Sequence, residues 1–464
     1  MFTINASLPC SCNFYFLIIY KLILMKYITV SPAKKFEPDA IRQEKSSKED
    51  CDSIIDKLND DCLIYIFRLL SVADRILVER VCKKWQEVAL ESWSKFNELE
   101  MHSKYLGLKP FGFSHKCSEI TPHVVEEILK RCGRYLEKIN FPFSRLDYTG
   151  FVAQYCKNIQ SITCYNISVE GLNELSNNCR NIHEFRIRGF RNGTLPQREL
   201  ALTKLFLSNR KLRALKIDDF KGSGECLLKL PFSEMEEILI SENTFMESMK
   251  TTVLMSNNLK SFKCFSIKAS IITALTFSCR NLTVLKLYCV RDNIINHEIN
   301  KVDELLSHVF HNNKQLKTLG LGYFESLTGK CFLHLNKNTV EKIILTQDHG
   351  LQREYLTISL PSFAKLHTLE FRSFYGYTDN DAIAECISLC GKLKKLTLFD
   401  MIFYSEENLM KSVSNLKNVE ILRVRAMMEN VATKSFIDYI SHNLQELKHL
   451  HLGDCADLSD NDLQ

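Results

Sequence analysis

The sequence predicts an α/β protein in which a small N-terminal helical module precedes a long solenoid of repeated strands and helices. Three observations predict this: a short apolar phrase recurs thirteen times, helix-start residues lie between its copies, and an apolar-rich stretch at 58–93 precedes them. Hydrophobic content of 45% and charged content of 25% are ordinary for a globular chain with a sizeable core. The formal charge of +5 permits an acidic partner but does not require nucleic acid.

The recurring phrase consists of an apolar residue, two variable positions, a second apolar residue, one variable position and a third apolar residue. This is the leucine-rich-repeat pattern, which contributes one short strand per repeat. Stacked repeats place a curved parallel sheet on the inside and helices on the outside. A first, capping strand is expected in FNELEM at 96–101. The thirteen copies begin at Leu136, Ile159, Ile182, Leu212, Met235, Leu259, Leu282, Leu316, Val340, Leu366, Leu393, Val419 and Leu447.

Helices are predicted between the phrases because residues that start helices precede several apolar stretches. Thr121 is a predicted N-cap with Pro122 at the first helical position, and similar starts occur at Thr378 and Ser405. LSDNDL at 458–463 resembles the start of another helix. We therefore expect the sequence to be truncated in its last repeat, or that repeat to be frayed.

Four cysteines each stand three residues before the first residue of a phrase. This recurrence is better explained by a small buried side chain than by disulfides, so we expect reduced, intracellular thiols. Metal or thiol chemistry is the alternative. The pattern resembles the cysteine-containing subtype of leucine-rich repeats, which implies that the cysteine packs at the end of each repeat's helix. The four are Cys156, Cys179, Cys279 and Cys390.

The N-terminal segment 1–30 contains an apolar run that Lys21 interrupts, and it is short for a membrane span. We interpret it as a doubtful leader, with Met25 as an alternative start and a real anchor as the other possibility. Residues 31–53 are charged and poor in apolar side chains, which predicts a flexible linker.

The stretch 58–93 predicts three helices, at about 59–70, 74–79 and 81–90, with Asn59 capping the first. A unit of roughly 36 residues is below the size that usually folds alone. Some of its apolar surface is therefore expected to contact the solenoid or a partner.

This stretch resembles an F-box, whose pattern is L-P-x-E/D-x-L, an I-F pair, a leucine, an aspartate, V-C-K-x-W and a closing tryptophan. Asn59 replaces the usual proline. We place the F-box at 54–94, a connector with the capping strand at 95–120, and the solenoid at 121–464. The combination resembles the F-box/leucine-rich-repeat proteins, substrate receptors of Skp–cullin–F-box ubiquitin ligases. The matching residues are Leu58, Asn59, Asp60, Asp61, Leu63, Ile66, Phe67, Leu70, Asp74, Val81, Cys82, Lys83, Lys84, Trp85, Ala89 and Trp93.

The resemblance implies a non-enzymatic receptor of the cytoplasm, the nucleus or both, with no cofactor and no nucleic-acid or membrane partner. Its partners would be a Skp-type adaptor, through it a cullin–RING ligase, and an unidentified protein substrate. Trp85 could fill the helical core, face the adaptor, or do both, whereas Lys83 and Lys84 are expected on a solvated face. The residues expected to contact the adaptor or support that contact are Leu58, Asn59, Leu63, Ile66, Phe67, Leu70, Val81 and Trp85.

The inner face of the solenoid is expected to be basic. Positions three, five and seven of each phrase point into the concavity, where eleven basic residues outnumber four acidic ones. A ladder of stacked cations, flanked by aromatic rings, suggests an acidic or phosphorylated substrate segment bound over repeats two to seven. A solvated basic sheet without a ligand is the alternative. The predicted substrate-binding residues are Tyr165, Arg186, Arg188, Lys216, Lys263, Phe265, Lys286 and Tyr288; a second, lower-ranked group is Arg372, Phe399, Arg423 and Arg425.

The sequence lacks the motifs of a serine hydrolase, a zinc protease or a phosphate-cradling loop. His449 and His451 could ligate a metal, but a surface pair is the favoured interpretation. Two other functions stay open. One is a repeat scaffold or sensor that binds an adaptor or a small anionic ligand without promoting degradation. The other is a secreted or membrane-tethered binding protein, which only the N-terminal apolar run suggests.

Overall fold

The computed structural model describes residues 58–101, 106, 120–141, 146–218, 222–241, 246–265, 267–289, 301–346, 350–373, 380–401, 405–425 and 433–453. The predicted leader, the linker, the helix start at Thr378 and the C-terminal LSDNDL lie outside them. None of the helices in the described ranges is long and apolar enough to cross a membrane.

The N-terminal module consists of three short helices, α1 (Asp60–Arg68), α2 (Val72–Val78) and α3 (Lys83–Ser92). Asn59 caps α1 as predicted, since its Oδ1 accepts a hydrogen bond from the backbone N–H of Cys62 at 2.9 Å. Two acidic residues in the first turn and Arg68 in the last complement the helix dipole.

The predicted bounds of the second and third helices were wrong by about two residues, because side-chain caps set the observed bounds. Ser71 starts α2 through a hydrogen bond from the N–H of Asp74 to its hydroxyl. Cys82 starts α3, its Sγ accepting from the N–H of Trp85.

A buried polar junction connects this module to the first repeat. α3 continues into a 3₁₀ turn, Trp93–Lys95, and the Trp93 indole is fully buried. Its Nε1 donates to Glu79 Oε1 at 3.1 Å, while Arg131 Nε donates to Glu79 Oε2 at 2.7 Å. The Arg75 guanidinium stacks on Trp93 at 4.5 Å and donates to the carbonyl of Phe67. The two parts of the chain are thus joined by hydrogen-bonded charges rather than by a bare linker.

One parallel sheet runs through the repeats, with fourteen strands paired in sequence order. This confirms the predicted α/β solenoid of thirteen repeats and a capping strand. The strands are β1 Glu98–Glu100, β2 Lys138–Asn140, β3 Ser161–Cys164, β4 Glu184–Ile187, β5 Ala214–Ile217, β6 Glu237–Ile240, β7 Ser261–Phe265, β8 Val284–Tyr288, β9 Thr318–Gly322, β10 Lys342–Thr346, β11 Thr368–Arg372, β12 Lys395–Phe399, β13 Ile421–Arg425 and β14 His449–Gly453.

Helices connect most of these strands and pack against one another in sequence order. In the described parts of two connections, β5–β6 and β9–β10, the 3₁₀ segments Glu225–Lys229 and Lys330–His334 take the place of an α-helix, and Leu360–Ser362 extends α11. The helices are α4 Pro122–Cys132, α5 Thr149–Tyr155, α6 Val169–Asn178, α7 Leu195–Ser208, α8 Met246–Met255, α9 Ala269–Ser278, α10 Val302–Asn312, α11 Arg353–Ser359, α12 Asn380–Ser388, α13 Glu406–Val413 and α14 Lys434–Asn443.

The apolar positions of each phrase form the core between sheet and helices. In the repeat that contains β8, Leu282, Leu285 and Leu287 are all fully buried. Burial of each such side chain stabilises the fold by about 1.5–3 kcal/mol. Because the variable positions alternate with these leucines, they face the opposite side of the sheet.

In several repeats the residue three positions before the phrase closes the helix end, as predicted for the cysteines, whereas the buried Cys390 lies two residues beyond the end of α12. Cys156, Cys179 and Cys279 are fully buried C-caps of α5, α6 and α9. Burial raises the pKa of Cys179 to about 11 and that of Cys279 to about 12, so these thiols stay protonated at neutral pH. Such side chains fill space rather than react.

Two repeats carry a buried asparagine at this position, Asn209 and Asn313. The amide of Asn313 donates to the carbonyls of Cys279 and Val309, and its Oδ1 accepts from the N–H of Leu282 at 2.9 Å. Asn313 therefore ties the backbones of two consecutive repeats together. Asn209 likewise accepts from the N–H of Ile182.

Candidate functional site

The N-terminal three-helix module buries three of the residues that were predicted to contact the adaptor or support that contact. Leu63 and Phe67 are each 1% exposed and Trp85 is 6% exposed, with the rings of Phe67 and Trp85 5.3 Å apart. The structure therefore places Trp85 in the core of the module. These three residues can support a binding surface, but they do not form one.

An exposed apolar stripe on α1 and the turn after it was only partly predicted. Tyr65 is 63% exposed and Leu69 51% exposed, and Ile66 and Leu70 beside them are half-buried. Tyr65 and Leu69 are four positions apart, as are Ile66 and Leu70, so the members of each pair are neighbours on the surface of α1 and the turn after it. We call these four residues the α1 apolar face.

Of these four residues, Ile66 and Leu70 were predicted to contact the adaptor, whereas Tyr65 and Leu69 were not predicted. Seven of the eight residues in LIYIFRLL at 63–70 are apolar, which is more than one side of a short helix can bury. That excess was the sequence signal for a second, exposed apolar side.

The other predicted residues of the module lie around this face in mixed roles. Leu58 and Val81 are half-buried, and Asn59 is exposed but used as the cap of α1. Lys83 is exposed, and Lys84 lies 3.4 Å from Asp60, a solvent-exposed ion pair that links α3 to α1. Lys83 and Lys84 thus lie on the solvated face that was expected.

On the concave side of the sheet, strand register breaks the predicted cation ladder into two pairs. Arg186 is in register with Lys216, and Lys263 with Lys286, but Leu239 lies between the pairs. The prediction of one continuous ladder was wrong because the intervening repeat carries an apolar residue at the fifth phrase position.

Acidic neighbours neutralise the first pair. Lys216 Nζ lies 2.7 Å from Glu237 Oε2, and Arg186 lies 3.4 Å from Asp218 Oδ2. Arg188 approaches the same Asp218 carboxylate at 4.0 Å and lies over the ring of Tyr165 at 5.9 Å. This end of the predicted substrate surface is an internal charge network.

The second pair differs, because among the described residues neither Lys263 nor Lys286 forms an ion pair or a hydrogen bond through its ammonium group. Both side chains are half-buried. Burial lowers the pKa of each ammonium group, and the nearby cations Lys342 and Lys263 lower that of Lys286 further. The two lysines therefore hold unfavourable positive charge on the concave face.

Aromatic rings lie against this lysine pair as predicted. Phe265 and Tyr288 stack with ring centroids 4.7 Å apart and planes 13° from parallel, and Lys263 Nζ lies 4.8 Å from the Phe265 centroid. The next strand is open because residues 320 and 322 are glycines. A Cβ at Gly320 would lie 3.0 Å from Lys286 Cγ, and one at Gly322 would lie 2.7 Å from Tyr288 Cδ1. The glycines give Lys286 and Tyr288 room to lie across β9.

Of the second predicted group, Arg372 contacts a buried acid. Glu370, 1% exposed, is paired with Lys342, Arg372 and Lys395. Although burial opposes ionisation, hydrogen bonds from Lys342 and Arg372 lower the pKa of Glu370.

Farther along the sheet, Arg425 forms a two-pronged ion pair with Asp400 and lies over the ring of Phe399. Arg423 is exposed. His449 and His451 are exposed too, and among the described residues no cluster of His, Cys, Asp and Glu could hold a metal ion.

Comparison with known protein families identifies the N-terminal three-helix module. Residues 55–98 match the F-box-like family model. No curated protein sequence matches the chain.

Among solved structures, the crystal structure of the Rad7 and Elc1 complex in yeast shares 14% identity, with a TM-score of 0.46 over 81% of this chain and 91% of that one. The leucine-rich repeat-containing protein LegL7 from Legionella pneumophila shares 13% identity, with a TM-score of 0.34 over 68% and 88%. A TLR13–ssRNA13 complex shares 13% identity, with a TM-score of 0.32 over 70% and 46%.

The F-box-like match covers the three-helix module, and the fourteen-stranded repeat sheet begins within its last residues. The chain therefore combines an F-box-like module with a repeat sheet of the leucine-rich-repeat type.

Proposed function

We propose that this protein is the non-catalytic substrate receptor of a cullin–RING ubiquitin ligase, acting in the cytoplasm or nucleus. The F-box-like module docks a Skp-type adaptor, and the concave repeat face binds a protein substrate. The observation that carries the proposal is an F-box-like module with an exposed apolar face, joined through buried charges to a repeat sheet in which Lys263 and Lys286 form no ion pair among the described residues.

The α1 apolar face has the composition of a protein-binding surface. Tyrosine is among the residues that contribute most to interface affinity, and leucine beside it supplies apolar area. Tyr65 on α1 and Leu69 just after it are both more than half exposed. Each therefore forgoes the free energy that burial of an apolar side chain contributes, until a partner covers it. A partner that buries both removes this cost.

The junction at Glu79 explains how one chain can position a substrate relative to a ligase. Glu79 bonds to the indole of Trp93 on one side and to Arg131 of the first repeat helix on the other. Because both bonds involve an ionised group, they are stronger than neutral hydrogen bonds. An adaptor on the module would therefore hold the solenoid in a defined orientation.

Affinity capture from cell extract tests the proposal, with variants at the exposed residues rather than in the core. Tyr65→Ala combined with Leu69→Arg removes the apolar face, and the added cation at the end of α1 suits the helix dipole. Leu207→Arg is the matched control, because Leu207 is 43% exposed and lies in the last turn of α7. We expect wild-type protein and control to recover a Skp-type adaptor and a cullin, and the double variant to recover neither.

The same experiment separates the receptor from a scaffold or sensor. A receptor that cannot bind its ligase should accumulate its substrates, here called client proteins. The double variant is therefore expected to carry client proteins that the wild-type protein carries only when degradation is blocked. Adaptor recovery with no client that responds in this way would favour the scaffold. Absence of any adaptor on the wild-type chain would contradict both.

A further inference from the structure

We infer that Lys263 and Lys286, together with the Phe265–Tyr288 stack, form a binding site for a phosphorylated residue of a protein substrate. We call these four residues the β7–β8 site. The inference rests on the proposed function, since it names the chemistry by which the concave face would recognise its substrate. It also narrows the predicted surface from repeats two to seven to two adjacent strands.

The pattern of ion pairs distinguishes the β7–β8 site from the rest of the concave face. The cations on β4 and β5 are paired with Asp218 and Glu237, and those on β10 to β12 surround Glu370. Between these two networks, Lys263 and Lys286 are without a carboxylate partner among the described residues. An incoming anion would therefore displace no existing ion pair here, whereas at either network it would compete with a fixed carboxylate.

The geometry of the pair favours a dianion. The two lysines are register partners on adjacent parallel strands, and such strands are about 4.8 Å apart. A phosphomonoester carries roughly −1.5 to −2 charges at pH 7 and three acceptor oxygens, so one group can satisfy both ammonium groups at once. A single carboxylate would compensate only one of the two charges.

Packing restricts the side chains of Lys263 and Lys286 before a ligand binds. Both lysine side chains are half-buried, so less of their rotational freedom remains to be lost on binding. Lys263 is held over Phe265, while Lys286 and Tyr288 lie across the glycines of β9. Burial lowers the pKa of both ammonium groups by more than the Asp218 carboxylate raises that of Lys263 and the Glu370 carboxylate raises that of Lys286. The aromatic stack beside them offers apolar surface for the chain that flanks the phosphate.

Direct binding to the full chain tests this inference with defined probes. Labelled peptide pools of random flanking sequence carry phosphoserine, phosphothreonine or phosphotyrosine at the centre, and matched pools carry the unmodified residue or glutamate. We expect at least one phosphorylated pool to bind about tenfold tighter than both of its matched pools, and high salt to weaken that binding. Equal binding of phosphorylated and matched pools would overturn the inference.

Paired variants tie the preference to the site. Lys263→Gln with Lys286→Gln should abolish the phosphate preference, whereas Lys263→Arg with Lys286→Arg should keep most of it. The matched control is Arg186→Gln with Lys216→Gln, which also removes two cations from the concave face but from pairs that are already neutralised. A control that loses the preference as fully as the lysine double variant would show a diffuse surface and overturn the site.

Competition identifies the source of the phosphate. Inorganic phosphate should compete only at concentrations far above those of the peptide, because it lacks the flanking chain that contacts the rings. Competition by inorganic phosphate at peptide concentrations would overturn the inference of a protein ligand. Adaptor capture is measured separately. If the chain captures the adaptor but shows no preference for phosphopeptides, only this inference fails. If the chain prefers phosphopeptides but does not capture the adaptor, the proposed function fails.

Discussion

Removal of the Glu79 carboxylate should weaken the junction between the F-box-like module and the first repeat more than any comparable surface change. Glu79 is 8% exposed and accepts from both Trp93 Nε1 and Arg131 Nε. Glu79→Ala leaves the indole N–H and the Nε–H of Arg131 without their acceptor. Removing one partner of a buried ion pair costs about 3–5 kcal/mol. Glu79→Gln can still accept from the indole, so the expected cost is smaller, about 1–3 kcal/mol.

The assay is urea unfolding followed by tryptophan fluorescence. Both tryptophans of the chain, Trp85 and Trp93, lie in or beside the module, so their emission reports on this region alone. Glu127→Gln is the control, since Glu127 also contacts Arg131 but is more accessible to solvent than Glu79, and solvent-accessible pairs contribute about 0–1 kcal/mol. A midpoint for Glu79→Ala that coincides with those of wild type and control would refute the role of the junction. A double-mutant cycle with Arg131→Ala measures the coupling directly.

Three further predictions concern the solenoid and its cysteines. Alkylation at neutral pH followed by mass spectrometry should modify the exposed Cys62 and Cys82 quickly and Cys279, whose thiol has a pKa of about 12, only on unfolding; rapid modification of Cys279 would contradict the packing. Asn313→Ala should lower the free energy of unfolding by about 1–3 kcal/mol for each backbone group it leaves unpaired, and an unchanged urea midpoint would argue against the bridge. Because the folded-state pKa of Lys286 is lowered, its charge destabilises the fold at neutral pH and this cost disappears as pH rises through that pKa. Lys286→Met should therefore stabilise the protein at pH 7 and flatten the rise in stability toward pH 10.5; destabilisation at pH 7 would contradict the unpaired state.

The repeat architecture was predictable because it depends on local periodicity. Every phrase became a strand, and the residues between phrases supplied helix caps such as Ser405, whose hydroxyl accepts from the N–H of Asn408. Alternation within a strand also identified which side chains leave the core, so Lys263 and Lys286 were assigned to the concave face from sequence. Those assignments require only that side chains alternate along a strand.

Pairings across the concave face were not predictable in the same way. Whether a lysine is neutralised depends on which residue lies on the next strand and how far its side chain reaches. Lys216 meets Glu237 one strand away, whereas Lys263 faces Leu239 on one side and Lys286 on the other. The phrase positions therefore predicted the positive charge of the concave face, but not how that charge is distributed between paired and unpaired side chains among the described residues.

In the F-box-like module, too, the sequence pattern was not enough to predict which side chains are buried and which are exposed. Its sequence pattern marked Trp85 without deciding between core and surface, and the structure places it against Phe67. A short helix with apolar residues on nearly all sides must expose some of them, but the pattern did not indicate that Tyr65 and Leu69 would be the exposed pair. That choice depends on how α2 and α3 pack against α1.

The central claim is that the α1 apolar face docks a Skp-type adaptor, and a titration of purified adaptor into the full chain tests it most directly. Wild-type protein and Leu207→Arg are predicted to bind with equal affinity. Tyr65→Ala with Leu69→Arg is predicted to bind at least about tenfold more weakly, a loss of about 1.4 kcal/mol or more. Equal affinity of the double variant and the wild-type chain, or no binding by the wild-type chain, would contradict the claim.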